Sequence, residues 1–210
     1  MSKKRPSGAL ATVSSHKGYV DPKKVYDDWS KAYDRDLIDE YGYVAPQIAA
    51  DEFERRVADK GSVVIDLGCG TGLAGRELRK RGYYTVDGAD ISTGMLAQAR
   101  RHGVYRQLFA ADLTKRTALP DASYDAVISV GAFGNGHLKA EALPDFIRLV
   151  KPGGTLVIYV NALPFVAEDY PRTLHEFELA GLWRVRKVEA SNYMDALDRP
   201  GRLIVGERSL

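Results

Sequence analysis

Apolar positions along the chain recur in two alternating patterns. Ile48, Ala49, Phe53 and Val57 fall at helical spacing, which predicts an amphipathic helix burying one face. Val63, Val64 and Ile65 form a short unbroken run at 62–67, as expected of a parallel strand covered on both faces. The same alternation continues to the end of the sequence. It predicts helices over 22–39, 73–81, 92–103 and a stretch ending at Gly181, and strands over 83–89, 104–110, 124–130, 155–160, 182–188 and 202–207. Leu143, Phe146, Ile147 and Val150 place a further helix before Lys151-Pro152-Gly153-Gly154, which reads as its stop signal.

Strands separated by helical stretches require right-handed crossovers. The expected fold is therefore α/β, a doubly wound and mostly parallel seven-stranded sheet. The connection through Asn192 to Pro200 is too short for a crossover helix, so an antiparallel edge strand is expected. No repeat or linker divides the chain. The expected organisation is a mobile terminus at 1–20 and one domain over 21–210, with 21–60 as a helical segment and 61–210 as the core.

Composition narrows the partners. Thirty Lys and Arg against 28 Asp and Glu leave a formal charge of +2, which gives no footprint for nucleic acid. No window is apolar enough to cross a membrane. The sole cysteine, Cys69, cannot form an intrachain disulfide or a cysteine metal cluster. These features predict a cytoplasmic protein with a small-molecule partner and no metal; the oligomeric state is left open.

Ligands of a doubly wound sheet sit beyond the carboxyl ends of its strands. Asp66, Asp90 and Asp112 fall at three successive strand ends, and Gly68-Cys69-Gly70-Thr71-Gly72 joins the first strand to its helix. Alternate glycines allow close approach of the backbone to a ligand. An acid after the second strand suits the two hydroxyls of a ribose, which assigns Asp90 to an adenosine ligand. Ile91 and Met95 offer apolar surface to its ring, Asp112 can accept from an exocyclic amine, and Ser92 is a helix N-cap.

Two rival readings come from the same residues. Gly70-Thr71-Gly72-Leu73-Ala74-Gly75 matches the dinucleotide fingerprint G-x-G-x-x-G, which allows an NAD-type oxidoreductase. A pocket retained without catalysis, as a binding protein, is the other. His137, beyond the fourth strand, is either a base or a solvent-facing residue after Asn135-Gly136.

Val64-Ile65-Asp66-Leu67-Gly68-Cys69-Gly70-Thr71-Gly72 resembles the first motif of class I S-adenosylmethionine-dependent methyltransferases. Ala89-Asp90-Ile91-Ser92 with Met95 resembles the second, and Ala111-Asp112-Leu113 the adenine-binding motif. Val130-Gly131-Ala132-Phe133, Ala142-Leu143-Pro144 and the Lys151 turn are similar to the Williams-Beuren-region methyltransferase-like proteins. Tyr26 to Asp34 resembles the lid of small-molecule methyltransferases, including the ubiquinone and menaquinone type.

The resemblance implies a Rossmann-like methyltransferase fold and S-adenosylmethionine as cofactor, with S-adenosylhomocysteine as product. It also implies that Asp66 and Gly68 hold the methionine amino group, Asp90 the ribose, and Ile91 and Leu113 the adenine faces. Asp112 would take the adenine amine, Val130 would line the methionine end, and Tyr33 would cover the cofactor. Cys69, Gly70, Thr71, Gly72, Ser92 and Met95 complete the implied cofactor set. No catalytic residue is assigned.

Overall fold

In a computed structural model, the structure describes residues 22–134, 138–197 and 199–210. The predicted terminus at 1–20 and His137 lie outside the described residues. Seven strands form one sheet in the order β3-β2-β1-β4-β5-β7-β6. They are β1 (Val64–Leu67), β2 (Val86–Asp90), β3 (Leu108–Ala110), β4 (Tyr124–Phe133), β5 (Val150–Asn161), β6 (Trp183–Asn192) and β7 (Pro200–Arg208). The first five run parallel, and β7 pairs antiparallel with both β5 and the edge strand β6. The short connection through Asn192 produces this antiparallel edge pairing, because it leaves room only for a hairpin.

The helices are α1 (Pro22–Trp29), α2 (Tyr33–Arg35), α3 (Ala45–Arg56), α4 (Leu73–Lys80), α5 (Thr93–His102), α6 (Leu143–Leu149), α7 (Ala162–Ala167) and α8 (Tyr170–Leu179). Two apolar cores result, one on each face of the sheet. Phe53, Val64, Leu78, Tyr83, Ile128 and Tyr159 belong to one; Ile65, Val127, Phe146, Ile158 and Trp183 belong to the other. Successive residues of a strand point to opposite faces, so neighbours Val64 and Ile65 enter different cores, both fully buried.

Several boundaries differ from the periodic reading for local reasons. The helix expected over 22–39 breaks after Trp29, where Ser30 Oγ bonds the Asp27 carbonyl and a π-helical segment, Asp36–Glu40, follows α2. Asp27, Asp28 and Asp34 are weak helix formers that compete for the backbone. Tyr83 to Thr85 precede β2 because the Tyr83 N–H closes α4 on Leu78. The strand expected at 104–110 shortens to β3. The Lys151 turn does not end in a loop: Val150 pairs with Tyr124, the register then slips to Thr155 opposite Ala126, and Gly153 takes φ +78°. That stop signal encodes a bulge at the start of β5. The stretch ending at Gly181 divides into α7 and α8, with Asp169 at φ +47° between them.

The Tyr83 hydroxyl donates to the Val57 carbonyl in the buried core. Tyr83→Phe leaves that carbonyl unpaired and is expected to cost about 1–2 kcal/mol, read as a fall of a few degrees in melting temperature.

Candidate cofactor site

The order β3-β2-β1-β4 places the sheet's topological switch between β1 and β4, where a doubly wound sheet opens a crevice. A cavity of about 330 Å³ lies there. Its floor is the loop after β1. Gly68 (φ +74°), Gly70 (φ +54°) and Gly72 (φ +98°) adopt left-handed backbone, which side-chain-bearing residues reach only at a cost. At Gly68 a Cβ would also stand 2.4 Å from Ala132 Cβ on β4. The Gly68 and Cys69 N–H groups both donate to the Ala89 carbonyl, at 2.8 and 3.0 Å, tying the loop to β2.

Asp90 anchors the other side of this loop. Its Oδ2 accepts the Gly70 N–H at 2.9 Å and its Oδ1 accepts the Ser92 N–H at 2.8 Å. Burial raises its carboxyl above the usual range, against backbone bonds from Ser92, Gly70 and Ile91 that lower it. Asp66, on β1, is 1% exposed. Burial pushes its carboxyl up to about 7, opposed by a hydrogen bond from Tyr105. Its Oδ2 accepts from the Tyr105 hydroxyl at 2.6 Å, and its Oδ1 is buried without a hydrogen-bond partner among the described residues. Asp112 behaves differently: bonded by Thr114 and Lys115, it is held below the usual carboxylate range, with the Thr114 hydroxyl as the main cause.

Asp66, Gly68, Cys69, Gly70, Thr71, Asp90, Ile91, Met95, Asp112, Leu113, Val130 and Tyr33 all line the cavity. Two sequence candidates do not. Gly72 is instead the left-handed N-cap of α4, packed near Tyr105. Ser92 is fully buried, and its hydroxyl accepts the Met95 N–H and donates to Asp27. Gly72 and Ser92 shape the loop and α5 without lining the cavity. Tyr26 and Tyr43 do line it, although their spacing resembles ordinary helix and loop positions and only the fold brings them over the loop. Burial raises the phenols of Tyr26, Tyr33 and Tyr43, so all three stay neutral donors near neutral pH. Among the described residues the lining contains no Lys, Arg or His.

The segment carrying Tyr26 and Tyr33 is fastened to the core by two carboxylates. Asp27 accepts from the Ser92 hydroxyl and, at 2.8 Å, from the Gly94 N–H at the start of α5. Asp34 accepts from the Thr71 hydroxyl in the glycine loop and lies 3.5 Å from Arg76 and 3.3 Å from His102. These contacts attach the helical segment to the loop that frames the cavity. Asp34→Ala is expected to weaken ligand affinity about fivefold, the scale of a partly exposed polar contact. Faster hydrogen exchange over 22–43 is the accompanying signature.

The dinucleotide fingerprint finds a different use for its third glycine. A Cβ at Gly75 would stand 2.5 Å from the Tyr105 ring and hydroxyl, so Gly75 makes room for a side chain. A pyrophosphate would also face Asp66 and Asp90 with no cationic side chain in the described lining, an arrangement that disfavours bound anions.

Comparison with known proteins bears on the family and the fold. Residues 65–158 match the family model described as a methyltransferase domain. Human Methyltransferase-like protein 27, the Williams-Beuren-region relative, is 33% identical over 165 residues, covering 75% of this chain and 66% of its own length. The demethylmenaquinone methyltransferase of Tropheryma whipplei is 33% identical over 157 residues, covering 70% of this chain and 63% of its own. The chain thus spans about two thirds of the length of these curated relatives. In a complex between the Haloferax volcanii Trm112 methyltransferase activator and a methyltransferase, a solved chain superposes with a TM-score of 0.70 at 22% identity, covering 92% of this chain and 100% of that one. That likeness shows a shared fold. From the glycine loop, the strand-end carboxylates, the sheet order and these relatives together, the chain belongs to the class I S-adenosylmethionine-dependent methyltransferases.

Proposed function

We propose that the cavity binds S-adenosylmethionine and that the chain transfers its methyl group to a small-molecule acceptor. The observation that carries this reading is the charge of the site: carboxylates from three adjacent strands surround a glycine loop, with no cationic side chain in the described lining. Such a site favours a ligand that carries positive charge and hydroxyl or amine donors. The cofactor supplies an electrophilic methyl on a cationic sulfur. The residues present fit it, because Asp66 Oδ1 is buried and lacks a donor among the described residues and the loop glycines open the backbone to close approach.

In this assignment Asp66 and the Gly68 carbonyl hold the methionine amino group, and Asp90 accepts from the ribose. Ile91 and Leu113 flank the adenine, while Asp112 accepts from its amine. Val130 lines the methionine end. Cys69, Gly70, Thr71 and Met95 complete the cavity; Gly72 and Ser92 support it from outside. Residues 21–60 serve as a lid, in which Tyr26, Tyr33 and Tyr43 present aromatic faces that attract cations. The neutral phenols contribute orientation and exclusion of water.

A small acceptor is supported by the demethylmenaquinone-methylating relative and by the near balance of charge, which gives nucleic acid no electrostatic footprint. No helix of the described residues is long and apolar enough to cross a membrane, and we place the protein in the cytoplasm. The test is incubation of the full chain with methyl-labelled S-adenosylmethionine and a cell extract. Label in the small-molecule fraction is expected; label confined to nucleic acid or protein would overturn the acceptor class.

A further inference from the structure

Tyr105 is partly buried and does not line the cofactor cavity. It lines a separate cavity of about 430 Å³ with Ala99, Arg100 and Gly103, and its hydroxyl crosses to Asp66 Oδ2 at 2.6 Å. Gly75 opens that passage, and Gly88 borders it. A Cβ at Gly75, inside α4, would stand 2.5 Å from the Tyr105 hydroxyl; one at Gly88, inside β2, would stand 2.8 Å from Leu108 Cδ2, 3.0 Å from Cys69 Sγ and 3.2 Å from the Tyr105 ring. Glycine weakens both a helix interior and a strand interior, so neither element gains from having it there. Gly75 is accounted for by this partly buried tyrosine, and Gly88 by Leu108, Cys69 and Tyr105 together. The consequence at Asp66 is an asymmetric carboxylate, with Oδ2 accepting from Tyr105 and Oδ1 buried with no partner among the described residues.

We propose, resting on the cofactor assignment above, that Tyr105 is a positioning residue for the amino group of the cofactor. It fixes the Asp66 carboxylate through Oδ2 and leaves Oδ1 as the acceptor for an ammonium. Its phenol is raised well above its ordinary value, first by burial and then by Asp66, so the hydroxyl stays a donor. The same bond favours the ionised form of Asp66, the form an ammonium needs. The other titratable groups facing Asp66 are Asp90 at the end of β2, Cys69 in the loop and Tyr43 before α3. Asp90 disfavours ionisation of Asp66, while burial keeps the Cys69 thiol and the Tyr43 phenol neutral.

Removing the Tyr105 hydroxyl raises the Asp66 carboxyl further, so the carboxylate forms only at higher pH. Calorimetric affinities of S-adenosylhomocysteine, which carries the amino group, and of 5′-methylthioadenosine, which lacks it, would be measured on the full chain and on Tyr105→Phe across pH. For S-adenosylhomocysteine the variant is expected to bind about tenfold more weakly near neutral pH, the scale of one charge-assisted hydrogen bond. Its affinity should also fall off on the acid side at a higher pH than in the parent. Affinity for 5′-methylthioadenosine should not change. Equal weakening of both ligands, or an acid limb that does not move, would overturn the positioning role and leave the cofactor assignment intact. Failure of the parent chain to bind either ligand would instead remove the cofactor assignment, and this proposal with it.

Discussion

Replacing Asp90 with alanine is expected to weaken S-adenosylhomocysteine binding about 100-fold, the loss of nearly 3 kcal/mol that follows from removing two charge-assisted hydrogen bonds. Asp90 is placed to act twice. It holds the glycine loop through the Gly70 N–H and the start of α5 through the Ser92 N–H, and it lines the cavity. Alanine removes the ribose acceptor and frees two backbone donors at once. Asp90→Asn separates these roles, since the amide keeps the shape but turns a donor toward one of the two N–H groups. Its expected loss is intermediate, about tenfold. Calorimetry on the three proteins reads the series directly, and undiminished affinity in Asp90→Ala would contradict the assignment of the ribose.

The second large effect concerns the free protein and runs in the opposite direction. Asp66→Asn is expected to stabilise the chain at alkaline pH while weakening S-adenosylhomocysteine binding. The Asp66 carboxyl stands at about 7 in the fold against 3.8 ordinarily, so the fold favours its protonated form. That contribution is fully present below the ordinary carboxylate range and is lost as pH rises through about 7. A shift of this size corresponds to about 4 kcal/mol, an upper value for a buried group. Asparagine stays neutral, and its amide oxygen can still accept from Tyr105. Its melting temperature should therefore match or trail the parent near pH 4 and exceed it near pH 8, flanking the titration window. A fixed cost of the amide cancels in the difference between the two conditions. A parent-to-variant difference that is flat with pH would show that Asp66 is already ionised without strain. The site thus stores a charge that the free fold disfavours, a common signature of binding positions.

Much of this site is legible in the sequence, for definite reasons. Strand ends and the loop between β1 and α4 are local features, so the position of Asp66, Asp90 and Asp112 at three adjacent strand ends follows once the parallel order is inferred. Ser92 was legible as a cap because capping is also local. Its exclusion from the cavity was not, because this depends on Asp27 arriving from α1. Tyr26 and Tyr43 over the cavity, and Asp34 on Thr71, are likewise products of tertiary packing of the helical segment.

Tyr105 is the part of the site least visible in the sequence. In the sequence it sits within a run that reads as a strand, and Gly75 reads as part of a dinucleotide fingerprint. A glycine inside an amphipathic helix and another inside a β-strand, each without a turn to explain it, were the available signal. Tyr105, which fills the space at Gly75, lies 30 residues away, and the Leu108, Cys69 and Tyr105 side chains around Gly88 lie 17 to 20 residues away, separations that periodicity cannot bridge. The Lys151-Pro152-Gly153-Gly154 segment carries a related lesson. Its turn chemistry is real, but pairing with β4 on both sides converts it into a bulge within a continuous strand.

The most direct test of the central claim is calorimetry of the full chain with S-adenosylmethionine, S-adenosylhomocysteine and NAD in parallel. Binding of the first two in the micromolar range, worth roughly 8 kcal/mol, with no detectable heat from NAD, is the predicted result. Binding of NAD alone would contradict the account and return the glycine loop and Asp90 to the dinucleotide reading.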